Sequence, residues 1–482
     1  MDSISNPGIV VLLAVLGIDL VVRLGLLIYI PRNRKPTAAT AWLLLIFILP
    51  ITGTILFFIL GSTKLSRSRM AKQKVINDAF RKLAESEDHQ VEGNIEQQYL
   101  SSVDLAKSLT NLPVTTGNSV EVLIDYDKII SDMSRKISRA KNFVFVEFYT
   151  LALDDTTEQF FTALESAIKN GARVYVLFDA YGSRKYKNYR LMKSRMSKSG
   201  INWAKILPFS FSLKSYNRPD LRNHRKIVVV DGEVAYTGSL NMIDKTYHRK
   251  DDISYLELVV RTTGPNVRDQ AAVFIGDWYS ETNESLQHFL SDNYSRPDGQ
   301  ISLQVIPSGS AYEYSNNLLF LNSLLNSARD TVYITNPYLV PDQSLLITLI
   351  SAAKRGVKVS ILNSEAIDQW MVGNAQRSYY DELIKAGVKI YLYKKPQLVH
   401  EKFLVVDGSV ALVGSSNLDI RSFELNMECT VVIYDKICAE KLSGHHKQLL
   451  VYTRQLQYGK WRKRSIKNLL LESVARLTSA LQ

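Results

Sequence analysis

Two long apolar runs stand at the start of the chain. The first, residues 9–30, is interrupted only by Asp19 and Arg23, whose i, i+4 spacing lets them pair on one helix face. The second, residues 38–60, carries no charge but contains Pro50. Each run has about 20 residues or more, enough to cross a bilayer core. The pattern predicts two transmembrane helices, with one span and a re-entrant segment kinked at Pro50 as the alternative.

Basic residues flank these two runs unequally. The loop between them carries three: Arg32, Arg34 and Lys35. The segment after the second run carries five: Lys64, Arg67, Arg69, Lys72 and Lys74. Because cytoplasmic segments are enriched in Lys and Arg, we expect a multi-pass membrane protein whose large C-terminal part is cytoplasmic.

Strand-like and helix-like patterns alternate after residue 112. Runs of β-branched and aromatic residues at 143–150 and 174–178 predict strands, and the spacing of apolar residues over 157–169 predicts a helix between them. The same order recurs as strand, helix and strand at 331–339, 344–354 and 358–363. Alternation of this kind indicates an α/β fold with a mixed sheet, present twice.

Domain boundaries are placed where the pattern changes. We predict a membrane anchor at 1–61, a helical connector at 62–112, a first α/β domain at 113–295 and a second at 296–482. The second domain ends in a basic tail that begins at Lys460 and becomes amphipathic. That tail predicts either a helix lying on an anionic membrane surface or an ordinary surface helix.

One stretch of 18 residues occurs twice in the chain. Residues 224–241 read HRKIVVVDGEVAYTGSLN and residues 400–417 read HEKFLVVDGSVALVGSSN, with eleven identical positions. Each copy predicts two short strands joined by an Asp-Gly hairpin turn. A period of two places His224 and Lys226 on the same face of the first strand. We predict that these two stretches form the functional site.

Two imidazoles presented in this way suit the cleavage of a phosphodiester. One attacks phosphorus in-line to form a phospho-histidine, and the other protonates the leaving oxygen from the opposite side. Copies related by a pseudo-twofold axis supply that arrangement, with His224 from one half and His400 from the other. Lys226 and Lys402 neutralise the phosphate oxygens, so positive side chains take the place of a metal.

Further polar residues complete the predicted site. We expect phosphate contacts from four side chains: Asn241, Asn417, Ser239 and Ser415. The turn residues Asp231 and Asp407 belong to the predicted catalytic set and are expected to act through supporting contacts. An acidic side chain should also orient each imidazole through its other nitrogen. The candidates are Asp252 or Glu257 after the first stretch and Glu428 after the second.

Composition agrees with an anionic substrate without defining it. The chain has 482 residues and a formal net charge of +12 at pH 7, which suits nucleic acid, anionic lipid or phosphate esters. The histidines outside the repeated stretches have no metal-ligand spacing. We therefore predict no metal and no cofactor, and the apolar runs favour anionic membrane lipids over nucleic acid as partners.

The paired HxKxxxxD pattern resembles the signature of the phospholipase D superfamily. Within that superfamily, four stretches are similar to the bacterial cardiolipin synthases: residues 37–61, 223–232, 261–278 and 418–430. The resemblance covers nearly the whole chain. It implies two duplicated phospholipase D-like α/β domains that follow two transmembrane helices in the bacterial cell membrane.

The same resemblance implies a reversible phosphatidyl transfer. Phosphatidylglycerol would donate its phosphatidyl group to His224 and release glycerol, and a second phosphatidylglycerol would attack the intermediate to give cardiolipin. His400 would act first as acid and then as base. The residues themselves are symmetric and leave the choice of nucleophile open.

Two alternatives stay open. A hydrolase of the same superfamily, a phospholipase or a nuclease, shares the chemistry until water attacks the intermediate, and the basic helix predicted at 186–199 would suit nucleic acid. A membrane-anchored binding protein with an inactive site is disfavoured because both motifs are complete. The acyl-chain preference and the oligomeric state are not predicted.

Overall fold

The computed structural model describes residues 7–32, 34–62, 64–85, 95–209, 216–247, 253–290, 294 and 297–479. It divides into two compact units, Met1–Leu65 and Ser66–Gln482. Asp252, one of the predicted orienting acids, lies outside the described residues.

Helices occur throughout both units. They are α1 (Pro7–Arg32), α2 (Pro36–Ile48), α3 (Pro50–Leu60), α4 (Arg67–Glu85), α5 (Leu100–Thr110), α6 (Tyr126–Ile137), α7 (Glu158–Lys169), α8 (Tyr189–Lys198), α9 (Asn266–Thr282), α10 (Asn316–Ser327), α11 (Gln343–Lys354), α12 (Trp370–Ala386), α13 (Ile420–Glu424), α14 (Lys436–Leu450), α15 (Tyr458–Trp461) and α16 (Ile466–Leu477).

Strands occur only in the second unit of the described chain. They are β1 (Thr115–Leu123), β2 (Phe143–Phe148), β3 (Arg173–Asp179), β4 (Asn202–Ile206), β5 (Lys226–Val230), β6 (Val234–Gly238), β7 (Ser254–Leu256), β8 (Val259–Thr263), β9 (Ile301–Ser308), β10 (Thr331–Thr335), β11 (Leu339–Val340), β12 (Lys358–Ser364), β13 (Lys389–Tyr393), β14 (Gln397–Val399), β15 (Phe403–Val406), β16 (Val410–Gly414), β17 (Leu418–Asp419), β18 (Glu428–Tyr434) and β19 (Thr453–Gln455).

The N-terminal unit consists of the apolar helices α1, α2 and α3. Helix α1 has 26 residues, about 39 Å at 1.5 Å per residue, and it alone among the described helices is long and apolar enough to cross a membrane. Its Asp19 and Arg23 form the predicted ion pair. A small core joins the three helices through five side chains: Leu26, Ile30, Ala39, Ile46 and Phe57.

The second apolar run is broken at Pro50 into two helices, as the re-entrant alternative expects, and a second crossing of the membrane stays a prediction. Proline has no N–H and disfavours helical backbone at the residue before it, and Leu49, before Pro50, has φ −125° and ψ 79°. The resulting α2 and α3 have 13 and 11 residues. They are about 20 and 17 Å long, each shorter than a hydrocarbon core of about 30 Å.

A mixed sheet of 15 strands organises the second unit. Its order is β19-β13-β12-β10-β15-β16-β18-β9-β1-β8-β6-β5-β2-β3-β4. Apart from the edge strand β19, the order is one seven-stranded arrangement present twice, and the copies meet where β9 pairs with β1. In each copy three parallel strands continue into an antiparallel hairpin, β5–β6 in the first and β15–β16 in the second. This arrangement confirms the duplicated α/β fold.

Each repeat has its own apolar core. One core gathers side chains of α6, α7 and the central strands of the first repeat, and the other gathers α10, α11, α12 and the strands of the second. The two repeats also contact each other through β6, which approaches β16 and β18. These contacts bring the two repeated stretches, residues 224–241 and 400–417, to one interface between the repeats.

The segment predicted as a connector belongs to this second unit. Tyr99, Val103 and Ala106 are buried in the core of the second repeat, although few core signals were expected there. Helix α4 packs against α9, where Arg69 donates two hydrogen bonds of 2.5 Å to Glu281. The boundary at residues 112 and 113 stays a prediction.

The tail forms a surface helix, α16, that packs on α12. The guanidinium of Arg476 lies 4.4 Å from the ring centre of Tyr379. Five apolar side chains of α16 are exposed: Ile466, Leu469, Leu470, Val474 and Leu477. Packing on the second repeat agrees with the ordinary surface helix, and contact of its exposed face with a membrane stays a prediction.

Candidate active site

The reactive residues of each repeated stretch stand at the start of a hairpin. Strand β5 begins at Lys226 and strand β15 begins at Phe403, so His224 and His400 lie in the extended segments just before the strands. The first predicted strand therefore began two residues too early, since His224 precedes β5. Each lysine ammonium folds back and donates to the carbonyl of its own histidine, at 2.6 Å in the first repeat and 2.7 Å in the second.

Each histidine backbone is fixed by the opposite repeat. The His224 N–H donates to the Met427 carbonyl at 2.8 Å, and the His400 N–H donates to the Leu256 carbonyl at 2.8 Å. Strand β14, directly before His400, also pairs in parallel with β7 of the first repeat. Since Glu428 and Glu257 follow these two carbonyls in sequence, the pairing brings each carboxylate beside the other repeat's imidazole.

The carboxylates are exchanged between the repeats. Nδ1 of His224 donates to both oxygens of Glu428, at 2.9 and 3.0 Å. Nδ1 of His400 donates to Glu257 at 2.8 Å. Both predicted orienting acids that are described thus contact an imidazole, but each belongs to the repeat that does not supply the histidine. A proton held on Nδ1 leaves the Nε2 lone pair of each ring for chemistry.

Burial controls the protonation of these groups. It lowers the pKa of His224 to about 4, although the Glu428 carboxylate opposes the shift. It lowers the pKa of His400 as well, again against its own carboxylate. Burial would raise the pKa of Glu428, but the imidazole and Lys226 outweigh it and hold that pKa below its usual value. Both imidazoles are therefore neutral and at least one carboxylate is ionised near neutral pH.

The two lysines are buried close together. Burial lowers the pKa of Lys226 to about 7, an effect that the Lys402 ammonium reinforces and the Glu428 carboxylate opposes. Burial lowers the pKa of Lys402 to about 8. An anion placed between the two ammonium groups would stabilise both positive charges.

A cavity of about 710 Å³, the catalytic pocket, contains both histidines. His224, His400 and the predicted phosphate ligands Asn241 and Asn417 line it. The expectation that two copies of one motif build a single site therefore agrees with their placement. An in-line displacement at phosphorus needs groups on opposite sides of the reacting atom, and two imidazoles on one cavity can provide them.

The serines predicted to bind phosphate are placed differently. Ser239 and Ser415 are fully buried and, like Lys226 and Lys402, do not line the catalytic pocket. The Ser415 hydroxyl donates to Glu428 at 2.5 Å, and the Ser239 hydroxyl donates to the Leu258 carbonyl at 3.1 Å. Since both hydroxyl protons are used within the protein, the predicted phosphate-binding role does not fit their position.

The turn aspartates are also placed away from the chemistry. Asp231 has φ 52° and Asp407 has φ 51°, as the Asp-Gly hairpin turns require. The Asp231 carboxylate accepts the N–H groups of residues 141, 142 and 143 at 2.8 to 2.9 Å. Asp231 follows Lys226 by five positions along an extended strand, a distance of about 17 Å. The prediction that Asp231 and Asp407 are catalytic is therefore corrected: they tie each hairpin to the start of a neighbouring strand.

We expect Asp407→Ala to destabilise the protein. Its carboxylate accepts the backbone N–H groups of Arg329, Asp330 and Thr331 at 2.8 to 2.9 Å, and the Tyr99 hydroxyl at 3.0 Å. Loss of these acceptors should lower the free energy of unfolding by about 1–3 kcal/mol, measured by urea denaturation of the purified protein. Asp407→Asn, which keeps one acceptor and tolerates the turn, is the matched control and should lose less. A large fall in activity of the folded fraction would contradict this structural role.

Sequence reasoning missed the aromatic rings that pack beside the two histidines. The Tyr149 ring lies edge-on to His224, with centroids 5.1 Å apart, and the Tyr255 ring lies edge-on to His400 at 5.3 Å. Tyr338 donates to the Asp368 carboxylate at 2.7 to 2.8 Å. Polar and aromatic residues that directly follow buried strands could have indicated some of these rings, because such positions often meet at one edge of a sheet and line a binding site there.

Comparison with known proteins agrees with this geometry. The family model described as "Cardiolipin synthase, PLD-like domain" matches residues 133–278 and 321–450, and that described as "Phospholipase_D-nuclease N-terminal" matches residues 21–62. The chain is 30% identical to a cardiolipin synthase of Alkalihalophilus pseudofirmus over 476 residues, which cover 96% of this chain and 92% of that protein. It is 31% identical to cardiolipin synthase A of Proteus mirabilis over 469 residues, covering 95% and 96%.

A solved structure shares the fold. The crystal structure of phosphatidylserine synthase from Haemophilus influenzae matches 80% of this chain and 100% of its own, with a TM-score of 0.61 and 14% sequence identity. At that identity the likeness concerns the architecture alone.

Proposed function

The chain belongs to the cardiolipin synthase family of phospholipase D-like enzymes, and we propose that it condenses two phosphatidylglycerol molecules into cardiolipin and glycerol. It is a phosphatidyltransferase of that superfamily. One observation carries the proposal: His224 and His400, one from each repeat, line the same cavity, and each holds a carboxylate on Nδ1.

In the first step Nε2 of His224 attacks the phosphorus of the donor lipid. The bond from phosphorus to the glycerol oxygen breaks, and His400 supplies the proton that the leaving oxygen needs. Glu428 orients the nucleophile and stabilises the positive charge that develops on its ring. The negative phosphate raises the pKa of His400 as it binds, which favours the protonated acid that burial disfavours in the empty pocket.

In the second step the acceptor lipid takes the place of glycerol. Its hydroxyl oxygen bonds to phosphorus, the bond from phosphorus to Nε2 of His224 breaks, and His400 accepts the hydroxyl proton. Lys226 and Lys402, with the Asn241 and Asn417 amides, stabilise the phosphate oxygens in both steps. Ser415 and Ser422 support the site indirectly, since both donate to Glu428, at 2.5 and 2.9 Å.

Activity should have a bell-shaped pH dependence. As pH falls through about 4, the buried His224 becomes protonated and loses its nucleophilic lone pair. As pH rises, His400 loses the proton that the leaving oxygen needs, and through about 7 to 8 Lys226 and Lys402 lose the charge that binds phosphate. We expect kcat/KM in detergent micelles to decline on both sides, with the acid midpoint well below 6.5, the value of an ordinary histidine. An acid midpoint near 6.5 would contradict the burial of the nucleophile.

The lipid substrate and the apolar helix α1 agree with a membrane-associated enzyme. We propose integral attachment to the bacterial cell membrane with the catalytic unit on the cytoplasmic side. The support is the excess of basic residues after α3. Among these residues, Arg69 pairs with Glu281 and Lys72 donates to the Ser280 carbonyl. A cysteine-accessibility assay on residues of the loop after α1, in intact cells and in lysates, tests the orientation.

The product distinguishes a synthase from a hydrolase of the same superfamily. Purified protein given labelled phosphatidylglycerol as the only phospholipid should form cardiolipin and glycerol in equal amounts. Phosphatidic acid as the main product would show that water, not a second lipid, resolves the intermediate, and would overturn the proposal. The His224→Ala/His400→Ala double variant provides the blank, and full activity in it would support a mechanism without this site.

A further inference from the structure

Three cations outside the repeated stretches line the catalytic pocket: Lys185, Arg222 and Arg421. Lys185 lies between β3 and α8 and contributes to the wall that also contains both histidines. Over the described part of the chain, its ammonium forms no ion pair, and it lies 5.1 Å from the ring centre of Tyr186. Partial burial lowers its pKa, while the nearby Asp368 carboxylate raises it. Lys185 is therefore a cation on the wall of an active site for phosphate esters, and no carboxylate of the described residues forms an ion pair with it.

A row of aromatic rings places Lys185 on the His400 side of the pocket. The Tyr186 ring meets Tyr247 edge-on at 5.9 Å, and Tyr247 stacks on Tyr255 at 4.5 Å. Tyr255 in turn meets His400 edge-on at 5.3 Å. These ring contacts lead from Tyr186, next to the lysine, to the acid–base histidine; Tyr186 and Tyr247 line the pocket, and Tyr255 is buried.

The other basic residues of the pocket lie on the His224 side and are held by the protein. Arg222 donates to Asp179 at 3.3 Å and to the Leu207 carbonyl at 3.1 Å. Arg421 donates to the Asp220 carbonyl. In an in-line displacement, the leaving group and the acceptor both occupy the side opposite the attacking nitrogen. Arg222 and Arg421, on the side of the nucleophile, are therefore not placed to bind the acceptor.

Building on the transfer proposed above, we infer that Lys185 binds the phosphodiester of the second phosphatidylglycerol, the acceptor. An acceptor that attacks from the His400 side brings its own phosphate into the pocket, on the far side of a three-carbon glycerol from the attacking hydroxyl. A charge-assisted contact with Lys185 holds that phosphate while His400 removes the hydroxyl proton. Water and free glycerol lack the second phosphate, so this contact favours a lipid acceptor over both.

Lys185→Met tests the assignment through two reactions in which the same bonds to phosphorus form and break. One is cardiolipin formation from phosphatidylglycerol, and the other is exchange of labelled free glycerol into phosphatidylglycerol, whose acceptor has no phosphate. We expect the ratio of cardiolipin formation to glycerol exchange to fall about tenfold or more in Lys185→Met, through a raised KM for the acceptor. Lys185→Arg should restore most of the ratio. Lys187→Met, two residues along the same loop and outside the pocket lining, is the matched control.

Several results would overturn the inference. Equal losses of both reactions in Lys185→Met would show that the lysine binds the donor lipid or stabilises the fold. An unchanged ratio would show that it does not bind the acceptor. A ratio that falls in Arg421→Gln but not in Lys185→Met would place the acceptor on the His224 side. Wild-type protein that catalyses neither reaction would overturn the proposed function itself, whereas an active wild type with an unchanged ratio overturns only this assignment.

Discussion

His224→Ala should abolish phosphatidyl transfer from every donor, because it removes the atom that bonds to phosphorus. We expect the rate to fall by about 10⁴-fold or more, as when the nucleophile of a covalent enzyme is removed. His400→Ala should lose turnover of phosphatidylglycerol by about 10²- to 10⁴-fold, the usual contribution of general acid–base catalysis. The two variants should also differ in their reaction with an activated donor, which distinguishes the nucleophile from the acid–base catalyst.

An activated donor reveals the difference. Phosphatidyl-p-nitrophenol has a leaving group that needs no proton, so His400→Ala should release close to one equivalent of p-nitrophenolate per site in a rapid burst. His224→Ala should give no burst. Stopped-flow absorbance measures both, with protein concentration fixed by active-site titration of the wild type. A burst in His224→Ala and none in His400→Ala would exchange the two assignments.

Glu428→Gln should be the most damaging change outside the histidines. The carboxylate accepts from Nδ1 of His224 with both oxygens, whereas an amide presents one oxygen and a donor group, which permits the wrong ring orientation or tautomer. We expect kcat to fall about 10²- to 10⁴-fold with little change in KM. Because Glu428 raises the pKa of His224, its loss should also move the acid limb of the pH profile to lower pH.

That shift in the acid limb separates positioning from a general structural role. Glu440→Gln, an exposed carboxylate on α14, is the matched control and should leave the profile in place. Glu257→Gln should instead slow the steps that use His400, and the burst from the activated donor should survive in it. A Glu257→Gln variant that loses the burst while Glu428→Gln keeps it would contradict the exchanged pairing of carboxylates and histidines.

The sequence predicted the parts of the site that are local. Spacing within residues 224–241 and 400–417 was sufficient for the hairpins and for the reactive histidines, because a period of two and an Asp-Gly turn depend on neighbouring residues alone. The duplication further implied that His224 and His400 belong together. Alternation of strands and helices was sufficient for the fold class.

Contacts between repeats were beyond that reasoning. Which carboxylate meets which imidazole depends on β14 pairing with β7 and on residue 223 bridging residue 427, and no local pattern encodes these partners. The role of Asp231 was misjudged because five strand residues carry it to the far end of the hairpin. Hydropathy alone indicated one long helix in the second apolar run, whereas Pro50 divides it into α2 and α3.

The central claim is that the phosphatidyl group is covalently bonded to His224 after it leaves the donor lipid and before it reaches the acceptor lipid. It is tested most directly by mixing the wild-type enzyme with phosphatidylglycerol labelled at phosphorus, stopping the reaction with alkaline detergent within the first turnover, and mapping the label by mass spectrometry. We expect the label on the peptide that contains His224 and its disappearance as cardiolipin forms. Label on the His400 peptide, equal label on both, or none during turnover would contradict the account.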